Sequence, residues 1–133
     1  MHSHSNRKTR RGILTMELVM TLPILGIVLF ALFEFSLLFF ARGQVVEACR
    51  AGGRIACLTD CTSDAVENRV RQSLNPKLRS AAHIDVELGE HAGDWVRVAV
   101  RVPMKLASPN LLWPVGFNLE NRNLFAETWM FKE

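Results

Sequence analysis

Residues Leu18–Ala41 read LVMTLPILGIVLFALFEFSLLFFA, in which Glu34 is the one charged residue and Thr21 and Ser36 are the other polar ones. A run this long and this apolar is the signature of a membrane-spanning helix. A cleavable secretory signal has a shorter apolar region of about 7–15 residues, closed by a small-residue site. Here the run continues into ARGQVVEACRAGG without an A-x-A site, so the segment is expected to stay attached. A helix from Ile13 to Ala41 would be roughly 44 Å long at about 1.5 Å per residue, against a hydrocarbon core of about 30 Å. The excess is taken up by tilt, or its outer end, Leu37 to Phe40, is covered by protein.

Charge orients the segment. Arg7, Lys8, Arg10 and Arg11 precede it with no acid among the first twelve residues. That asymmetry predicts a cytoplasmic N-terminus and an extracytoplasmic remainder. Of the sixteen Lys/Arg in the 133 residues these four leave twelve against thirteen Asp/Glu, so the basic pI belongs to the tag and not to a surface. Nucleic acid therefore drops out as an expected partner, and membrane lipid takes its place.

Beyond the span the helical signal goes on. Val45, Val46, Cys49, Ile55 and Ala56 share a broad face, with Glu47, Arg50 and Arg54 on the other. One long helix, half in lipid and half in a head, is expected. Gly52 and Gly53 each cost about 1 kcal/mol relative to Ala inside a helix, so they should answer to close packing of a sheet. Thr59-Asp60-Cys61-Thr62-Ser63 reads as a turn. A second amphipathic helix follows it, capped by Thr62 or Ser63, with Val66, Val70, Leu74 and Leu78 at four-residue spacing and a break at Asn75-Pro76. The period then changes to two. Ile84, Val86 and Leu88, then Val96, Val98, Val100 and Val102, flank the turn 89–94, an antiparallel hairpin whose polar faces offer Asp/Glu to Arg pairs. A third strand is expected within Leu119–Phe131. Pro103–Phe117 is a loop with an apolar tip at Leu111-Leu112-Trp113, expected to fold back over the open side of the hairpin rather than to serve as a contact patch. The fold class is thus α+β, with a long N-terminal transmembrane helix, a short second helix and a small antiparallel sheet of about three strands. The divisions are a basic leader (1–12), a transmembrane segment (13–41) and an extracytoplasmic head (42–133) that includes the continuing helix.

The junction Arg10-Arg11-Gly12-Ile13-Leu14-Thr15-Met16-Glu17 carries a resemblance. A basic leader ending in Gly, an apolar run starting at once, and a Glu as the fifth residue after that Gly resemble the type IV prepilin signal. Leu22-Pro23, Glu34-Phe35, Ala41-Arg42 and the Ala/Gly/Arg-rich Glu47–Arg54 resemble the TadE-like minor pseudopilins of tight-adherence (Flp) pilus systems. The resemblance covers residues 10 to 56 and, in the head, only an outline of strands. It implies cleavage between Gly12 and Ile13 by a prepilin peptidase. It also implies residence in the bacterial inner membrane, and partnership with other pilins or pseudopilins and an inner-membrane assembly platform. Cys49, Cys57 and Cys61 depart from the family pattern.

Elementary energetics bears on the same residues. A carboxylate at the bilayer centre costs about 2.5–3.5 kcal/mol on insertion scales, so Glu17 must snorkel to the cytoplasmic interface or pair. After cleavage it would lie roughly 6 Å from the new amine of Ile13, and between stacked subunits it could pair with a neighbour's amine. Glu34, roughly 32 Å from Ile13 by the same rise, belongs at the outer interface, where solvation is expected to serve it rather than a specific partner. Pro23 removes a helical N–H and clashes with the Val19 carbonyl, so a kink or loosening is expected there unless neighbours or Thr21 repair it.

Cys57 and Cys61 can form a disulfide if the helix ends between them; free thiols and a metal site with His83 or His91 are the other readings. Cys49 lies about 12 Å along the helix from Cys57, too far to bond. No motif for hydrolysis, phosphate binding or metal catalysis occurs, so neither enzymatic activity nor a cofactor is expected. The alternative function is an unprocessed single-pass anchor carrying an extracytoplasmic binding or adaptor domain.

Overall fold

The computed structural model describes residues 7–58 and 60–133. The first six residues of the leader and Thr59 of the expected turn lie outside the described residues. A single helix, α1, runs Arg7–Ala56, about 75 Å at 1.5 Å per residue. Its first part is bare: large side chains from Ile13 through Phe33 are exposed, as a segment meant for lipid or for other helices requires. Its 18-residue apolar window has a mean hydropathy of 2.5, so by length and composition the helix is a candidate membrane span. From Ala41 on, the same helix becomes a core element, with Val45, Ala48, Cys49 and Ala56 buried.

The helix assignment is unbroken at Pro23. Thr21 donates its hydroxyl to the Leu18 carbonyl at 3.1 Å and Ser36 donates to that of Leu32 at 2.6 Å, so the two hydroxyls within the apolar run are satisfied by the helix itself.

The head completes an α+β fold. Helix α2, Ser63–Ser73, is capped by Thr62, whose side chain accepts from the Ala65 N–H. It ends before Asn75-Pro76, where Asn75 caps a single further turn, α3, Pro76–Arg79, by accepting from the Leu78 N–H. Strands β1 (His83–Glu87), β2 (Trp95–Pro103) and β3 (Asn123–Phe131) form an antiparallel sheet in the order β1-β2-β3. The even-numbered residues Val96, Val98, Val100 and Val102, with Leu124, face inward onto α1 and α2, where Val66, Val70, Leu74 and Leu78 close the core.

Gly52 and Gly53 hold this junction together. A Cβ on Gly52 would lie 2.5 Å from Val70 Cγ2, and one on Gly53 would lie 2.6 Å from Thr128 Cγ2. Gly53 thus answers to the sheet as expected, whereas Gly52 answers chiefly to α2.

The outward sheet face forms the expected acid-to-arginine pairing across the hairpin at one position. The register places Glu87 opposite Arg97, but Asp85 opposite Ala99 and His83 opposite Arg101. Arg97 bridges Glu87 at 3.2 Å and, diagonally, Glu127 of β3 at 3.3 Å. Around it the face is aromatic: the Trp95 ring lies 4.0 Å from that of Phe131 and 6.4 Å from that of Trp129, and the Arg97 and Arg101 guanidinium groups sit over Trp129 and Phe125. The loop after β2 does not cover the hairpin, because α1 and α2 already occupy the sheet's inner face. It turns back onto α1 instead.

Candidate functional site

That loop, Pro103–Phe117, clasps a carboxyl group of α1. Glu34 is completely buried. One carboxyl oxygen accepts from the Ser108 hydroxyl at 3.1 Å and the other from the Leu112 N–H at 2.9 Å. A charged residue in the apolar run thus has fixed partners, which corrects the expectation of interface solvation. The physical reason is desolvation. With Leu112 buried beside it, Glu34 is shut away from water, and a carboxyl group there is tolerated only when its oxygens are hydrogen-bonded.

The loop is shaped for this grip by local turns. Asn110 takes a left-handed conformation at φ 56°, accepts from the Leu119 N–H at 3.3 Å and donates to the Asn118 side chain at 3.1 Å. Gly116 supplies a second left-handed turn at φ 92° that an L side chain would strain. On one flank of Glu34, Phe35 meets Phe117 with ring centroids 5.4 Å apart. The loop's tip stays outside: Trp113 and Val115 are 67% and 62% exposed.

The other sequence-predicted residues lie elsewhere. Gly12 and Ile13 sit on the bare part of α1, where among the described residues nothing approaches within 4 Å of a Cβ built on Gly12. Its lack of a side chain therefore has no packing reason in the monomer. Glu17 is exposed on the same bare helix, 17 residues and about 26 Å by rise from Glu34. The two carboxylates form no common site.

The cysteines are all thiols here. α1 ends at Ala56, just before Cys57, so the helix does release the chain between Cys57 and Cys61, yet no bridge is formed. The Cys57 carbonyl accepts from the Glu133 N–H at 3.0 Å, tying the last residue of the sequence to the end of α1. Burial, with Glu133 nearby, raises the Cys57 thiol pKa. Cys49 donates its thiol to the Val98 carbonyl at 3.0 Å, and burial, reinforced by Glu127, pushes its pKa up to about 11. It behaves as a small core side chain. His83 lies in β1, and His91 sits in the β1–β2 turn beside Asp94 at 3.7 Å. Among the described residues no three His, Cys, Asp or Glu side chains gather as metal ligands would.

With this geometry in view, comparison with known proteins places the resemblance on the long helix. Residues 12–54 match the family model described as TadE-like protein. The match begins at Gly12 and ends two residues before the end of α1, so it includes Glu17, Pro23, Glu34 and both packed glycines, and leaves out the sheet and the clasping loop. No curated protein and no solved structure matches the chain.

Sequence reasoning missed Ser108 and Leu112 as partners of Glu34. The available signal was the carboxylate itself: a charge this far into an apolar run implies something to receive it. An apolar loop bearing a hydroxyl was the segment to search.

Proposed function

We propose that the chain is a minor pseudopilin-like structural component of a tight-adherence pilus or related secretion system, made as a precursor and cut between Gly12 and Ile13 by a prepilin peptidase. The TadE-like match suggests a role in the tight-adherence pilus system. The observation that carries the finer reading is the position of the match's first residue, Gly12, at the join between a basic leader and a bare apolar helix. Gly12 meets no neighbour among the described residues, which fits a residue required by a processing enzyme rather than by the fold.

The role is that of a building or assembly part and not of an enzyme. In this reading the leader stays cytoplasmic, residues 13–41 span the inner membrane, and residues 42–133 form an extracytoplasmic head. The bare helix is both the membrane anchor and the surface that meets other pilins and the assembly platform. Glu17, with the new Ile13 amine, sets the stagger between helices.

Coexpression with a prepilin peptidase tests this. The expected product begins at Ile13 by intact mass, and Gly12→Val leaves the full-length chain, because a branched side chain cannot occupy a cleft built around glycine. A full-length wild-type product beside an active peptidase overturns the reading in favour of the unprocessed membrane-anchored domain.

A further inference from the structure

Beside the Glu34 clasp, on the flank away from Phe35, a groove of about 750 Å³ opens between α1 and the head. Its floor is Phe33, Leu37 and Phe40 of α1, and Lys77 of α3 and Lys105 of the loop are among its lining residues. Both lysines are exposed, and neither ammonium group has a hydrogen-bond or ion-pair partner among the described residues. Among the described residues no acid lines the groove.

Height along the helix says what such a groove meets. Phe33 and Phe40 lie about 30 and 40 Å from Ile13 by helical rise. A segment that enters the hydrocarbon at Ile13 leaves its core of about 30 Å near Phe33. The groove therefore stands at the outer boundary of the bilayer, with Phe33 at the edge of the hydrocarbon and Leu37 and Phe40 beyond it at headgroup depth. Lysines with apolar stems and free ammonium groups at that level suit phosphate. Trp113, exposed on the same loop, is of the residue type that favours this interface.

From this we infer that the underside of the head is a phospholipid site: an anionic lipid of the outer leaflet rests the top of an acyl chain against Phe33, sets its glycerol and headgroup beside Leu37 and Phe40, and presents its phosphate to Lys77 and Lys105. The site fixes the head's height and rotation against the membrane. It rests on the reading of α1 as a membrane span.

The test uses the full chain in nanodiscs of phosphatidylcholine and phosphatidylglycerol, preceded by alkaline carbonate extraction of native membranes and followed by native mass spectrometry of the released protein. The wild type is expected to resist extraction and to retain phosphatidylglycerol enriched about fivefold or more over its share of the bilayer. The double variant Lys77→Gln/Lys105→Gln should lose that enrichment. Arg50→Gln/Arg54→Gln, which removes the same charge from exposed positions higher on α1, should keep it. Protein freed by carbonate would overturn the membrane span and the lipid site together. Resistant protein that retains both lipids equally, that keeps its enrichment in the lysine variant, or that emerges as a lipid-free dimer would overturn the lipid site alone.

Discussion

Glu34 shows how one residue can connect two segments 74 positions apart in the sequence. Its two hydrogen bonds hold the loop to α1, and removing the carboxyl leaves the Ser108 hydroxyl and the Leu112 N–H without partners in a buried place, at a cost of about 1–3 kcal/mol for each unsatisfied group. Glu34→Ala should therefore release the loop while the sheet stays folded. Hydrogen exchange would show this as faster exchange at residues 104–117 and unchanged protection in β2. Glu34→Gln keeps an acceptor for the Leu112 N–H, and the Ser108 hydroxyl can rotate to accept from the amide, so most protection should return. Unchanged protection of the loop in Glu34→Ala would mean that apolar packing alone holds it.

At the scale of elements, the join between α1, α2 and the sheet depends on two missing side chains. Gly52→Ala would relieve about 1 kcal/mol of helix propensity cost, yet it drives a Cβ against Val70, a stiff β-branched side chain that is fully buried. Overpacking of this kind costs about 1–3 kcal/mol, so a net loss of stability is expected. Gly53→Ala meets Thr128 and the mobile end of Met130, and should cost less. Gly43→Ala meets nothing and should stabilise. Thermal unfolding of the full chain in detergent, followed by near-ultraviolet dichroism of its tryptophans, orders the three. The expected ranking is Gly43→Ala above wild type, and Gly52→Ala lowest. A Gly52→Ala protein as stable as wild type would show that α2 can move away freely.

For the whole molecule, the deciding property is that α1 is covered at one end and bare at the other. A bare apolar helix with one exposed acid near its start is suited to lipid and, in the proposed function, to other helices in a filament. Glu17→Ala separates these uses. Membrane insertion and head folding should persist, since removing a charge near the interface makes insertion no harder. Cleavage after Gly12 should persist as well, because the cut bond lies five residues away. Assembly should fall sharply: the Ile13 amine would lose its partner inside an apolar bundle, and breaking a buried pair costs about 3–5 kcal/mol. Subunit crosslinking in cells, read beside membrane fractionation and intact mass, measures this. Wild-type crosslinking by a variant that is inserted and cut would make Glu17 a tolerated interface acid only.

What residue order determines here is whatever depends on neighbours in the chain. The length of the apolar run, the four-residue spacing of α2, the Asn75-Pro76 break and the two-residue period of the hairpin are all local patterns, and each reappears as the element it predicts. The third strand also falls within its expected bounds. Tertiary structure decided what depends on solvent exclusion and on register. Glu34 is buried because a loop 74 residues on removes its water, and Leu37 lines a groove for the same kind of reason. Beside the Glu87–Arg97 pair the outer sheet face gathers aromatic rings because pairing with β3 sets Trp95 beside Phe131 and Trp129, while the β1–β2 register gives Asp85 Ala99 as its partner. Periodicity says which side of a strand faces out; the partner strand sets the company its residues keep there.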